Sequence, residues 1–198
     1  MAYDKFTILK STAYPLPIDN VDTDQIIPAR FLKAIERKGF GDNLFRDWRY
    51  NRDHTKKMEF CLNNPKYSGK ILVGGRNFGS GSSREHAAWA IYDFGFRCVI
   101  SSFFADIFRN NCLNIGVLPV QISPEFLSKI FKAIDEDPNT ELEVDLPKQK
   151  VTILSTQESE TFQINSYKKE NIQQGLDDVD YLLRMGDEIE EFEKSLPF

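Results

Sequence analysis

Short apolar runs, set apart by polar turns, alternate with helix-spaced apolar positions in the middle of the chain and stand alone at both ends. Residues 71–75 (ILVGG) form a continuous apolar run closed by glycine, the pattern of a short buried strand. A glycine–serine segment over 76–83 follows and predicts a loop feeding a helix from about 84 to 94. The alternation repeats as a strand over 97–101, a helix over 104–113 and a strand over 117–120. Ser123-Pro124-Glu125 then opens another helix, with a serine cap, proline at the first position and an acid in the first turn.

The flanks read differently. Residues 5–16 predict one strand ending in a turn at Pro15 and Pro17, and 20–28 a polar loop leading into a short apolar run. Residues 36–69 mix charge and aromatics with Gly39, Gly41 and Pro65, and predict a long, partly helical excursion. Excursions of that length belong to functional or disordered segments, so a mobile substrate loop is expected there. Beyond Pro138, residues 142–146, 150–155 and 160–164 predict three short strands, the last two a hairpin turning over 156–159. The tail from 171 is helical and broken at Gly175. Strand–helix alternation flanked by β segments points to a mixed α/β domain rather than a purely doubly wound one.

Bulk properties narrow the function classes. A length of 198 residues suits one domain with its own core. The net charge of -5 argues against a nucleic-acid binder, which needs a basic stripe to neutralise phosphates. Nothing in the chain approaches the roughly 18 apolar residues of a membrane span, and the first residues lack a signal-peptide shape, so a cytoplasmic location is expected. Cys61, Cys98 and Cys112 are far apart and odd in number, which fits neither a disulfide framework nor a zinc pattern. With only His54 and His86 besides, this chain alone is a poor candidate for a metal or cluster site.

The chemistry concentrates in Gly74-Gly75-Arg76-Asn77-Phe78-Gly79-Ser80-Gly81-Ser82-Ser83-Arg84-Glu85-His86. Here a buried strand ends, four glycines permit tight and left-handed backbone, and a helix begins. Helix N-termini offer unpaired N–H groups and partial positive charge to anions. Ser82 and Glu85 have capping-box spacing. Arg84 adds a planar fork for a carboxylate. A serine–glutamate box after a glycine loop is often purely structural, but paired serines, an arginine and close-approach glycines together make a small-anion cradle. Neither a Walker loop, a dinucleotide fingerprint nor a hydrolase elbow fits the spacing.

Gly81-Ser82-Ser83-Arg84-Glu85-His86-Ala87-Ala88 closely resembles the signature of the swivelling domain of the aconitase superfamily. Asp22-Thr23-Asp24-Gln25-Ile26-Ile27-Pro28 and Phe104-Ala105-Asp106-Ile107-Phe108-Arg109-Asn110-Asn111-Cys112 resemble the branch of isopropylmalate dehydratase small subunits. The resemblance covers nearly the whole chain, including Gly175-Leu176-Asp177-Asp178. It implies an α/β fold, a single swivelling β/β/α domain over residues 1–198. It also implies a hydro-lyase of leucine biosynthesis, active only with a large subunit that carries a [4Fe-4S] cluster, with no cofactor on this chain. By position Ser82 would be the general base, Ser83 and Arg84 would bind a substrate carboxylate, and Asp24 would support them, by orienting Arg84 or as a plain turn residue. His86 is expected to be structural, and Asp22 a turn residue. The aconitase branch has a distal-carboxylate arginine after the aspartate motif. Here the region reads Ala29-Arg30-Phe31-Leu32-Lys33, whose Phe31 and Leu32 would suit an apolar substituent or simply belong to the core. A sister hydro-lyase small subunit, for citraconate/methylmalate or homoaconitate, and a non-catalytic anion-binding domain remain open at this point.

Overall fold

The structure is a computed structural model that describes residues 3–32 and 39–196. Two four-stranded sheets carry the fold. The first is parallel, in the order β2 (Ala13–Leu16), β3 (Ile71–Gly74), β4 (Cys98–Ser101), β5 (Leu118–Gln121). The second is antiparallel, in the order β1 (Ile8–Ser11), β6 (Leu142–Asp145), β7 (Lys150–Ile153), β8 (Ser159–Thr161). The helical elements are α1 (Thr23–Ile26), α2 (Arg46–Arg49), α3 (Glu85–Phe94), α4 (Asp106–Asn114), α5 (Pro124–Glu136), α6 (Ser166–Gln174), α7 (Asp178–Arg184) and α8 (Gly186–Ser195).

Burial of the central strands on both faces explains their apolar runs. Ile71 and Val73 of β3 face one core, shared with Ile130 and Ile134 of α5 and with Val144, Val151 and Ile153 of the antiparallel sheet. Leu72 faces the other, shared with Ala87, Ala88 and Ile91 of α3 and Phe108 of α4. The parallel sheet thus shares one core with the antiparallel sheet and α5 and the other with α3 and α4, which is the expected mixed α/β arrangement.

Three readings need correction. Residues 5–16 are not one strand: the chain leaves the antiparallel sheet at Ser11 and enters the parallel sheet at Ala13. Thr12 makes the switch, its hydroxyl donating to the Ser68 carbonyl at 2.8 Å. The supposed polar loop at 20–28 contains the helical turn α1, capped by Asp22 in a reciprocal box with Gln25. The helical tail starts at Ser166, five residues before Asn171, because Asn165 caps it. Ser123 caps α5 as expected, accepting from the Phe126 N–H at 3.1 Å.

Of the excursion over 36–69, residues 36–38 lie outside the described residues. From Gly39 onward it packs on the second core through Phe40, Leu44, Phe45, Cys61 and Leu62, all buried. Arg49, only 7% exposed, donates to the carbonyls of Gly41 and Leu44 at 3.2 Å each and to Asn63 Oδ1 at 3.2 Å.

Candidate active site

The loop after β3 leaves the carboxyl edge of the parallel sheet and is laced to residues 19–23. The Asn20 N–H donates to the Arg76 carbonyl at 2.8 Å, and the Arg76 N–H to Asp19 Oδ1 at 2.7 Å. The Gly79 N–H donates to the Val21 carbonyl at 2.7 Å, and the Thr23 N–H to the Ser80 carbonyl at 2.9 Å. Phe78 is buried below, its N–H donating to the Phe103 carbonyl at 3.0 Å. Gly79 sits at φ +78 with no room for a side chain, since a Cβ there would overlap the Phe108 ring. Gly81, at φ +95, turns the backbone over Thr23. Left-handed backbone at both points is what glycine permits without strain.

The α1 turn and this loop bring together residues some sixty positions apart in sequence. Arg84 makes an ion pair with Asp24, through Nη1 and Oδ1. The arginine side chain is 22% exposed and the aspartate 55% exposed, so the pair sits at the rim with the guanidinium partly sheltered. Ser82 and Ser83 are exposed beside it. Asp22, two residues before Asp24, spends its carboxylate on the Gln25 N–H at 2.7 Å.

The capping-box reading of Ser82 and Glu85 does not hold. Helix α3 begins at Glu85 with Arg84 as its N-cap residue, and the Arg84 side chain makes no capping hydrogen bond. Ser82 therefore lies outside the first turn. Its hydroxyl is committed elsewhere, 3.3 Å from Thr23 Oγ1. Its N–H also donates to Thr23 Oγ1, at 3.2 Å. Thr23 is the residue that motif reading missed. In Asp22-Thr23-Asp24 the acids attract attention, yet the buried threonine is what reaches the serine.

Other singled-out residues have partners of their own. His86 packs its ring against Trp89 (centroids 4.5 Å apart) and Phe40 (5.5 Å), a structural position. Arg30 is engaged by Asp47, with Nη1 to Oδ2 at 3.0 Å and a second contact through Nη2, and lies over the Phe31 ring at 4.7 Å. Hydrogen bonding from Arg30 holds the Asp47 carboxyl below the usual carboxylate range. Phe31 and Leu32 pack against the second core, and Lys33 lies outside the described residues.

The cysteines do not fit an iron–sulfur cluster. Ligation needs accessible thiolates. Burial pushes the Cys61 thiol up to about 12, and raises Cys98 and Cys112 as well. Among the described residues no three His, Cys, Asp or Glu side chains are grouped to hold a metal ion.

The fold is that of the aconitase C-terminal domain, and comparison with known proteins narrows the class further. The model of the aconitase C-terminal domain family matches residues 3–125, which include Asp24, Ser82, Ser83 and Arg84. A relative from Cytophaga hutchinsonii is 60% identical over 97% of this chain and 96% of its own. One from Azobacteroides pseudotrichonymphae is 57% identical over 98% of this chain and 100% of its own. Both are named 3-isopropylmalate dehydratase small subunit. A crystal structure of 3-isopropylmalate dehydratase from Methanocaldococcus jannaschii superposes with a TM-score of 0.68 at 27% identity, covering 95% of this chain and 99% of that one. The chain belongs to the aconitase C-terminal domain family, in the branch of the 3-isopropylmalate dehydratase small subunits.

Proposed function

We propose that this chain is the small subunit of a hydro-lyase that interconverts 2-isopropylmalate and 3-isopropylmalate by dehydration and rehydration, in the cytoplasm, as a step of leucine biosynthesis. Full-length identity to named small subunits carries the reading of the substrate. The meeting of Ser82, Arg84 and Asp24 at one edge of the parallel sheet supports the assignment of roles.

Ser82 acts as general base: its alkoxide takes the proton from the carbon next to a substrate carboxylate and returns it on rehydration. Ser83 and Arg84 hold that carboxylate, and Asp24 keeps the guanidinium turned to the rim. A serine base needs a strongly anion-stabilising setting, because its unperturbed proton is far too tightly held at neutral pH. The nearby guanidinium and the N–H groups opening α3 supply positive potential at the growing charge.

Departure of the hydroxyl belongs to a large subunit, which we expect to carry a [4Fe-4S] cluster, since this chain's buried thiols do not suit one. The chain is read as one functional unit over residues 1–198, with the 36–69 excursion as the segment that responds to substrate. Protease protection of that segment by large subunit and substrate together, absent with either alone, is the expected result, and protection unchanged by both would remove that role.

Complementation tests the function. The wild-type chain, expressed with its large subunit in a leucine auxotroph lacking both, is expected to restore growth, and Ser82→Ala is not. Failure of the wild type to restore growth, in a complex that forms, would move the substrate to citraconate/methylmalate or homoaconitate. A complex-forming chain that turns over none of these would be an anion-binding domain.

A further inference from the structure

Among the described residues the Ser82 hydroxyl has one hydrogen-bond partner, Thr23. Thr23 Oγ1 touches Ser82 in three ways: 3.3 Å from its Oγ, 3.2 Å from its N, and 3.3 Å from its carbonyl O. Thr23 is 1% exposed. Its N–H donates to the Ser80 carbonyl at 2.9 Å and its own carbonyl accepts from the Ile27 N–H at 3.0 Å. The Asp22–Gln25 box fixes the turn it starts. These bonds and its burial hold the Thr23 hydroxyl against Ser82.

A threonine hydroxyl has one proton to give and two lone pairs to receive with. While Ser82 is neutral, Thr23 Oγ1 receives the Ser82 N–H and O–H and gives its own proton to the Ser82 carbonyl. Once Ser82 has lost its proton to water, the serine oxygen has nothing to donate and a full charge to stabilise. Rotation about the Thr23 Cβ–Oγ1 bond then moves the threonine proton from the carbonyl to the alkoxide, across distances that are equal here at 3.3 Å. The donation to the charged oxygen replaces a weaker bond between neutral hydroxyls, so the exchange favours the charged form.

We propose that Thr23 is a positioning residue for Ser82: it fixes the serine oxygen while neutral and turns its single proton onto that oxygen once ionised. The proposal rests on reading Ser82 as the base.

Thr23→Val keeps the shape and removes the hydroxyl, while Thr23→Ser keeps the hydroxyl. In the assembled two-subunit enzyme, Thr23→Val is expected to lower kcat about 10- to 100-fold, the worth of one hydrogen bond to a charged group. Its KM should stay near wild type and the rising limb of its kcat–pH profile should move to higher pH. Thr23→Ser should recover kcat to within about threefold, a residue of lost stiffness at χ1. Wild-type kcat and pH profile in Thr23→Val, or a Thr23→Ser as impaired as Thr23→Val, would overturn the proposal. A second readout needs neither activity nor partner. With Cys61, Cys98 and Cys112 buried, iodoacetamide alkylation of Ser82→Cys against pH reports the introduced thiol alone. Adding Thr23→Val should raise that thiol's apparent pKa, and no change would count against the proton donation even if Thr23→Val assembles poorly. Near-normal turnover by Ser82→Ala would instead remove the base assignment itself. An inactive Ser82→Ala beside a normal Thr23→Val removes only the role of Thr23.

Discussion

The loop over 75–84 and the excursion over 39–69, irregular apart from α2 and a short helical turn, both lie beside the second core and are held by opposite means. The loop hangs on main-chain hydrogen bonds to residues 20–23, with Phe78 as its one deeply buried side chain. The excursion is held by side chains. Phe45 stacks on Trp48 at 5.5 Å and 4°, Phe60 leans on both, and Arg49 ties the carbonyls of Gly41 and Leu44 from inside. Where backbone does the holding, side chains are left over. Ser82 and Ser83 stay exposed at the end of this loop, and Arg84 spends its guanidinium on a half-exposed carboxylate rather than on the core. The same contrast separates two arginines: Arg49, buried, is a structural strut, while Arg84, at the rim, is paired with a half-exposed carboxylate and can share its fork.

Substitutions in the two segments should therefore fail in different ways. Ser82→Ala is expected to cost about 10²- to 10⁴-fold in kcat, the usual scale of general-base catalysis, with the melting temperature and subunit association unchanged. Unfolding or dissociation in that variant would make Ser82 structural and erase the contrast. Phe45→Ala is expected to do the reverse, destabilising the chain by about 3–5 kcal/mol as a large buried aromatic does. Denaturant unfolding of the isolated chain measures it, and a loss below 1 kcal/mol would mean that the excursion is not held by its aromatics. Arg84→Lys should lower kcat/KM about 10- to 100-fold with stability intact, because a point charge replaces a planar fork against both Asp24 and a carboxylate. The smallest effect belongs to Asp47. Its carboxyl titrates lower when folded than when unfolded, mainly through hydrogen bonding from Arg30. A depressed carboxylate contributes stability above its unfolded pKa, near 4, and loses it as pH falls through the folded value. Asp47→Asn should thus flatten the acid limb of the stability–pH curve slightly and leave pH 7 turnover alone. A steeper acid limb would contradict the sign.

The sequence made the frame legible because each central strand is buried on both faces and each is followed by a turn and a helix. Ile71–Gly74, Cys98–Ser101 and Leu118–Gln121 lie within a residue or two of where their apolar runs end. What stayed hidden depended on contacts between distant segments. Thr12 switches sheets through Ser68, which no local pattern announces. The Ser82–Glu85 spacing suggested a cap, but lacing to residues 20–23 places the helix start at Glu85 and turns the serine toward Thr23. For Asp24 the sequence left two readings, orienting Arg84 or a plain turn residue, and α1 lying beside the loop brings it to Arg84.

Whether this chain holds half of a shared active site is tested most directly by following dehydration of 3-isopropylmalate with this chain alone, with a cluster-bearing large subunit alone, and with the two mixed anaerobically. Turnover in the mixture only, lost with Ser82→Ala, is the predicted result. Turnover by either subunit alone at a rate close to that of the mixture would contradict it.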